Sequence, residues 1–576
     1  MESHEKTARV TGSDQVGTHA LEMQATVEEN GVKLPRKQLK DLDDLLPYVG
    51  EFGWYQRLMF LLMAPYSFFF AFVYFGQIFM TLVPEQHWCY VPELANMSVD
   101  ERRYLSIPQA NNVFDKCLVY DVDWKMVLQN GSSQPNPKWP IKKCHSWEFN
   151  FTDVPYETIA TQQGWVCDRD NYPATAQSIF FCGAIIGGLI FGWIADKYGR
   201  IPALIGANVA GLVGGLGTVF TNTFWSFCLC RFIVGMAYDN CFVLMYIVVL
   251  EYVGPKWRTF VANMSIATYF TFAACLLPWI ALGVANWKLY TLIITVPLAL
   301  ALLTKWMVPE SARWLISQGR TEEALKIMHS CERINGKKIP DEVIKEFRET
   351  AVEIAKAEQD FKNYSVLDLF RTPRLRRHSI LLVVIWMSIA MVFDGHVRNV
   401  GTLGLNMFLT FTAATATEFP ADILLILTLD VVGRRWLAFG TMIWSGVFSL
   451  LATVVSIGVP SASLAIVGRF AVNISFNIGF QYAAELLPTV VRAQGLALIH
   501  ISGYVATILV PYIVYMATIA REIPLLILGA LGIFGGVLCL FLPESMGKDM
   551  PQSLEDGENY GRDQRFWEFP CCKRKK

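Results

Sequence analysis

The chain is predicted to be an all-α membrane protein, with twelve transmembrane helices arranged as two pseudo-symmetric bundles of six. Three observations predict it. Of 576 residues, 53% are hydrophobic and only 17% charged, against about a quarter charged in ordinary soluble domains. Apolar stretches of about twenty residues recur along the sequence, each long enough to cross a hydrocarbon core of about 30 Å. Finally, Asp196, Gly199, Arg200, Glu251, Arg258, Pro309, Glu310 and Ser311 return 234 positions later as Asp430, Gly433, Arg434, Glu485, Arg492, Pro543, Glu544 and Ser545. Eight identities at one offset mark two copies of a single unit. A doubled unit inside apolar sequence is the pattern of membrane transporters built from repeats.

The first 57 residues are polar and read as a cytoplasmic tail, without a cleavable signal peptide. Spans are expected at 58–83, 174–195, 203–221, 225–252, 260–283, 289–308, 380–397, 403–429, 437–457, 463–485, 496–517 and 523–542. Asp394, His396, Arg398 and Glu418 interrupt the seventh and eighth. The first bundle therefore covers 58–308 and includes a loop at 84–173. A cytoplasmic helical loop at 309–379 leads to the second bundle, 380–542, and 543–576 forms the closing cytoplasmic tail.

The loop at 84–173 holds Cys89, Cys117, Cys144 and Cys167 together with glycosylation sequons at Asn96, Asn130 and Asn150. An even cysteine count beside sequons reads as an extracellular domain stapled by two disulfides, with three possible pairings. The loop at 309–379 is its opposite: fourteen Lys and Arg fall within 309–378. That bias places it and both termini in the cytoplasm of a multi-pass plasma-membrane protein. Amphipathic periodicity at 321–328 and 343–348 predicts helices bracing the bundles from below. The final Cys571, Cys572 and four basic residues suit a palmitoyl anchor on anionic lipid.

A net charge of −1 gives no basis for a nucleic-acid partner. The sequence has no Walker loop, nucleophile elbow or metal-spaced His/Cys cluster, so neither cofactor, metal nor enzymatic activity is expected. Gly214, Gly215 and Gly217 lie in an apolar span and read as helix packing. The repeated block is read as machinery at the cytoplasmic rim. Glycine permits a tight turn after the second span of each unit, and Asp and Arg are spaced to pair. Asp196, Arg200, Glu251, Arg258 and Glu310, with Asp430, Arg434, Glu485, Arg492 and Glu544, are expected to gate the protein. Their ion pairs would latch the halves when the cavity opens outward.

These paired turns resemble the signature of the major facilitator superfamily, whose fold is two six-helix bundles. Pro309-Glu-Ser-Ala-Arg-Trp-Leu315, Glu251-Tyr-Val-Gly254 and Ala484-Glu-Leu-Leu-Pro-Thr-Val-Val-Arg492 are similar to motifs of its organic cation, carnitine and organic anion transporter family, as is the long first loop. Residues 235–241 and 556–565 look like an insect branch that includes carcinine transporters. The likeness covers 45–542 and has departures. Val431 stands where a basic residue is usual, and the first loop has four cysteines where many relatives have six. Tyr504 occupies the eleventh-span position at which cation carriers place an acid and anion carriers a base.

Substrate contact is therefore sought at other intramembrane polar groups, which are costly to bury and so usually functional. Asp239, where relatives often carry a base, is expected near the middle of span four. With Phe242 and Tyr246 it combines a carboxylate and aromatic faces, a recipe for binding an amine or imidazolium. Trp386 and Phe393 match pocket positions of the family, Glu418 is a possible counter-charge or proton carrier, and Asn477, Gln481 and Tyr482 add polar groups. Tyr504 completes the expected wall. Asp394 and Arg398, four apart, are read as neutralising each other, and His500 as a neutral, hydrogen-bonded histidine. The expected function is transport of small organic cations or zwitterionic amines, carcinine-, histamine- or carnitine-like, by alternating access within the lipid bilayer. An organic-anion carrier and a non-transporting amine receptor are the alternatives.

Overall fold

The structure is a computed structural model that describes residues 26–29, 32–35, 42–110, 113–129, 134–361, 364–564 and 567. Asn130, Cys571 and Cys572 lie outside the described residues. Among the described residues, ten helices are long and apolar enough to cross a membrane: Trp54–Met80, Cys167–Tyr198, Arg200–Val219, Phe224–Tyr252, Pro255–Val284, Trp287–Met307, Pro373–Thr402, Arg434–Val454, Val459–Leu486 and Arg492–Thr518. These are spans one to seven and nine to eleven. Helices Met407–Ala416 and Glu418–Val432, and the shorter Ile523–Cys539, stand where spans eight and twelve are expected.

Spans eight, five and four each depart from a continuous α-helix. Span eight divides at Thr417 because Pro420 has no N–H to donate and its ring crowds the carbonyl four residues back, at Ala416. Span five contains a π-helical turn, Ser265–Phe270. Span four breaks into Phe224–Ala237 and Asn240–Tyr252 around Asp239. Elsewhere close approach depends on glycine. A Cβ on Gly183, Gly187 or Gly235 would stand 2.1 Å from the carbonyl oxygen of Phe232, Met236 or Phe180 respectively. Spans two and four thus touch backbone to backbone, the packing that small residues permit in a membrane.

Between spans one and two lies a small domain with two disulfides, Cys89–Cys144 and Cys117–Cys167, one of the three pairings left open by the sequence. The strand His87–Cys89 pairs with Trp147–Phe149, and Leu118–Tyr120 with Ile141–Lys143. Cys89–Cys144 joins the first strand pair to the second, and Cys117–Cys167 ties the start of the strand Leu118–Tyr120 to the start of span two. Asn96 is exposed, whereas the Asn150 amide donates to Gln86 at 3.1 Å. At the opposite end the long loop forms helices Ala312–Ser317, Thr321–Asn335 and Asp341–Phe361. Asn335 clamps the start of span one: its amide donates to the Val49 carbonyl and to Gln56, each at 3.0 Å, and its Oδ1 accepts from the Tyr55 N–H at 2.8 Å.

Two outcomes test this packing. Non-reducing peptide mapping of purified protein should return Cys89–Cys144 and Cys117–Cys167 and no crossed pair. Gly235→Val should cost about 1–3 kcal/mol or more, since it overpacks against backbone that has no rotamer to yield; a clear loss of melting temperature in detergent is the readout.

Candidate functional site

The repeated block turns out to be a helix-capping device. Gly199, at φ +113°, and Gly433, at φ +90°, reverse the chain between spans two and three and between eight and nine. The free N–H groups that open the next helix then meet a carboxylate. Glu310 accepts from the Arg200 and Ile201 amides at 2.8 and 3.2 Å, and Glu544 from those of Arg434 and Arg435 at 2.9 and 3.1 Å. Negative charge at a helix N-terminus is favourable for both the orphan amides and the dipole. A Cβ at Gly199 would lie 2.3 Å from the Glu310 carboxylate, so glycine serves the cap as well as the turn. The serine that follows locks the arrangement to span four or ten: Ser311 Oγ donates to Glu251, and Ser545 Oγ to Glu485 at 2.6 Å.

The arginines complete the two rims. Arg200 pairs with Asp196 at 2.6 Å and Arg434 with Asp430 at 2.9 Å, each one helical turn apart. Arg434 also reaches Glu485 at 3.1 Å. Arg258 donates to Asp43 in the N-terminal segment at 2.9 Å, and Arg313 pairs with the same carboxylate at 2.6 Å. Burial works to raise the Asp43 carboxyl, but these two guanidiniums outweigh it and hold it below the usual carboxylate range. Arg492 donates to the Leu487 carbonyl at 3.1 Å. None of these contacts joins the first repeat to the second. The cross-half latch expected from the sequence is not formed by these pairs in this conformation.

The repeats meet instead at mid-depth and toward the disulfide-bearing loop. Tyr74 OH donates to Asp394 at 2.6 Å, Ser178 Oγ to the Ile508 carbonyl at 2.7 Å, Tyr512 OH to Thr175 at 3.1 Å and Tyr515 OH to Asp170 at 2.7 Å. Toward the other end, no hydrogen bond or ion pair joins the spans of one repeat to those of the other among the described residues.

Asp239 sits at the centre of this junction. Its φ of +69° and ψ of −57°, with the Asn240 N–H bonded to the Tyr238 carbonyl at 2.9 Å, make a γ-turn inside a membrane helix. Such a turn is rare and strained, costing about 1–3 kcal/mol. It projects the carboxylate across the junction, where Tyr504 OH of span eleven donates to it and His500 Nδ1 lies 4.0 Å away. Aromatic rings surround the group. Tyr238 stacks on Phe70 and Tyr74 at 5.4 and 5.0 Å and meets Tyr504 edge-on at 5.8 Å; Phe242 lies 5.5 Å from Phe70 and 5.6 Å from Tyr246. On the far side His500 contacts Trp386 at 5.4 Å and Phe480 at 4.8 Å, while Phe393 stacks on Phe476 at 4.4 Å.

The structure therefore gathers Asp239, Phe242, Tyr246, Tyr504, Trp386 and Phe393 along one aromatic track. It adds Phe70, Tyr74, Phe476, Phe480 and His500, which sequence reasoning had not enlisted. Others among the expected site residues go elsewhere. Glu418 forms a fully buried pair with Arg469 at 2.6 Å, and Asn477 donates to Asp422 at 2.5 Å. Gln481 turns to the rim, donating to Glu485 at 3.1 Å. Tyr482 is buried and donates to the Pro543 carbonyl at 2.6 Å, so its hydroxyl is committed to the span-ten end rather than the cavity. Asp394 and Arg398 pair at 2.8 Å, as their spacing suggests. Arg231 does not reach Asp239; its Nε donates to Gln77 at 2.9 Å.

Residues 150–554 match the family model described as sugar (and other) transporter. The carcinine transporter of Drosophila melanogaster is 33% identical over 554 residues, covering 92% of this chain and 81% of that protein. The organic cation transporter protein of the same fly is 33% identical, covering 90% and 95%. Solute carrier family 22 member 1 of Bos taurus is 31% identical, covering 90% and 93%. Among solved structures, the proton:xylose symporter XylE, of the major facilitator superfamily, superposes with a TM-score of 0.56 at 16% identity, over 89% of this chain and 99% of that one. That likeness is one of fold.

The capping geometry makes a quantitative demand. Glu310→Ala should destabilise the protein by about 1–2 kcal/mol, the scale of a lost N-terminal cap. Gly199→Ala should also destabilise, by forcing a side chain into the Glu310 carboxylate. In the double variant the clash disappears, so the two losses in thermal unfolding should sum to more than the observed total.

Proposed function

The chain belongs to the sugar (and other) transporter family, and from that premise we propose that it carries small organic cations or zwitterionic amines across the membrane by alternating access. It is a transporter and not an enzyme. The observation that carries the substrate class is Asp239: a carboxylate held out by a strained turn, between the repeats, among aromatic faces. The counter-charge attracts an ammonium or imidazolium, and each ring offers about 0.5–2 kcal/mol of cation–π attraction. In this conformation Tyr504 occupies the carboxylate, so an entering cation takes the place of a phenol. The names of the similar fly proteins, carcinine transporter and organic cation transporter protein, support the same cargo.

Two six-helix halves, 58–308 and 380–542, would rock about this centre, with 309–379 beneath them. Among the described residues, hydrogen bonds join the repeats at mid-depth and toward the disulfide-bearing face and not toward the other, which supports the reading of a carrier open to the cytoplasm. Asp196 and Asp430, 78% and 82% exposed at their side chains, are then the rim charges available when that side closes. A cationic cargo would be driven inward by the membrane potential, worth about 2.3 kcal/mol per charge per 100 mV. The organic-anion alternative is disfavoured because Arg231, Arg398 and Arg469 are engaged by Gln77, Asp394 and Glu418.

Uptake of labelled carcinine, in competition with histamine, carnitine and urate, tests the reading. Asp239→Asn should raise KM for cations by about 10–100-fold, the loss of a charge-assisted contact of roughly 1.5–3 kcal/mol, at unchanged surface expression. Tyr504→Phe, which frees the carboxylate, should leave KM equal or lower. A wild-type KM in Asp239→Asn defeats the counter-charge, and absence of trans-accelerated counterflow defeats transport in favour of a receptor.

A further inference from the structure

We propose that Asp422, in the second part of span eight, is a proton-binding site separate from Asp239, and that its protonation is coupled to the transport cycle. Spans eight and ten face each other through three polar rungs. Arg469 pairs with Glu418 at 2.6 Å, Asn473 donates to Thr417 at 3.1 Å, and Asn477 donates to Asp422 at 2.5 Å. The guanidinium of Arg469 bonds Glu418 through Nη2 and the Phe393 carbonyl through Nη1, at 2.6 Å each, and Asp422 is not among its partners. Asp422 receives one amide donor on Oδ1. Its Oδ2 is buried without a partner, as are Glu418 Oε2 and, on the middle rung, Asn473 Oδ1. Asp422 and Asn473 are each 1% exposed.

Three buried acceptors on adjoining rungs lack a donor, and a proton on Asp422 supplies one. It also removes an ionised carboxylate that would be buried unpaired, one turn from a second anion. A bound metal ion suits the place less well, because hard cations take about six or more oxygens. No group of three His, Cys, Asp or Glu able to hold a metal is found among the described residues.

Other charged and titratable groups around these helices are engaged elsewhere. On span seven, Asp394 pairs with Arg398, and His396 meets Ser449 Oγ at 3.0 Å. On span nine, Arg434 is held by Asp430 and Glu485, and Arg435 donates to the Leu540 carbonyl. On span five, Cys275 contacts Thr415, Tyr269 packs on Phe60, and Arg258 is bound by Asp43. Glu418 and Arg469 therefore set the behaviour of Asp422.

The link to transport is Arg469. Its guanidinium lies 3.9 Å over the Phe393 ring, in the aromatic track of the substrate site. When Asp422 gives up its proton, a new anion stands one helical turn from Glu418, and their repulsion disturbs the Glu418–Arg469 pair and with it the Arg469 contact to the Phe393 carbonyl. The proton is taken from water past half-buried Asn477 and returned to water. No further reactant is needed.

The test uses full-length protein, in detergent and in liposomes with the membrane potential clamped. Infrared difference spectra between acid and alkaline pH should contain a protonated-carboxyl band that persists in Asp239→Asn and vanishes in Asp422→Asn. If the asparagine variant fails to fold, Asp422→Glu must shift the band. In liposomes, an imposed pH gradient should drive carcinine accumulation in the wild type. Asp422→Asn should lose about tenfold of it, on the scale of typical coupling, yet keep counterflow exchange. A band unaffected by both Asp422 variants, or gradient-driven accumulation unchanged in Asp422→Asn, overturns the proposal. Failure of the wild type to move carcinine at all counts against the cargo reading alone, because the infrared result still decides the proton site.

Discussion

A charge inside a hydrocarbon layer must be matched, and the whole interior is organised around that demand. Arg398 has Asp394, which also takes the Tyr74 hydroxyl and so binds span one to span seven. Arg469 has Glu418, and Arg231 has Gln77. Each pairing crosses between helices or fixes one helix turn, so neutralisation and assembly are one act. Against this background two acids stand out. Asp239 is met by a phenol, and Asp422 by one amide. A carboxylate whose partner is weak is one whose partner can be exchanged, which is the basis for proposing a cation at the first and a proton at the second.

The same economy explains the repeat. Glu310 and Glu544 cap the opening turns of spans three and nine, with glycine in the reversal and serine as the tie to span four or ten. Backbone amides at a helix start need acceptors whatever the cargo, which is why both copies keep the set. The exposed Asp196–Arg200 and Asp430–Arg434 pairs contribute little to stability, about 0–1 kcal/mol each. On the proposed reading, their value lies in being able to exchange partners when the rims approach.

Much of this was legible in the sequence because it is local or periodic. Apolar runs give the spans, and the offset between the repeats pairs the rim motifs; the division of span eight at Pro420 was not foreseen, the expected span being continuous over 403–429. What was not legible is long-range or conformational. Arg469 lies in span ten, 51 positions from Glu418, and no spacing links them; it was passed over as an anonymous charge in an apolar run. The rim glutamates were read as ion-pair partners because a carboxylate seeking backbone N–H leaves the same sequence trace as one seeking arginine. The γ-turn at Asp239 had no signal either. The neighbouring Tyr238 and Asn240 carry neither glycine nor proline, and the turn is sustained by the packing of spans two and four around it.

That turn also ties the two unmatched acids together. Asp239 and Asn473 occupy the same position of the repeat, 234 residues apart. In the first half, the position is a strained aspartate aimed at the junction; in the second, it is a helical asparagine on the middle rung between Glu418 and Asp422, with an unpartnered oxygen. Equivalent depth in two related halves puts both polar sites at the level where the halves pivot, the level at which occupancy can bias which face is open. Arg469 and Phe393 span the gap between them, joining the acid rungs to the aromatic track. The same repeat position thus carries a carboxylate at the junction in the half that breaks its helix, and in the half that keeps it an amide on the rung beside Asp422.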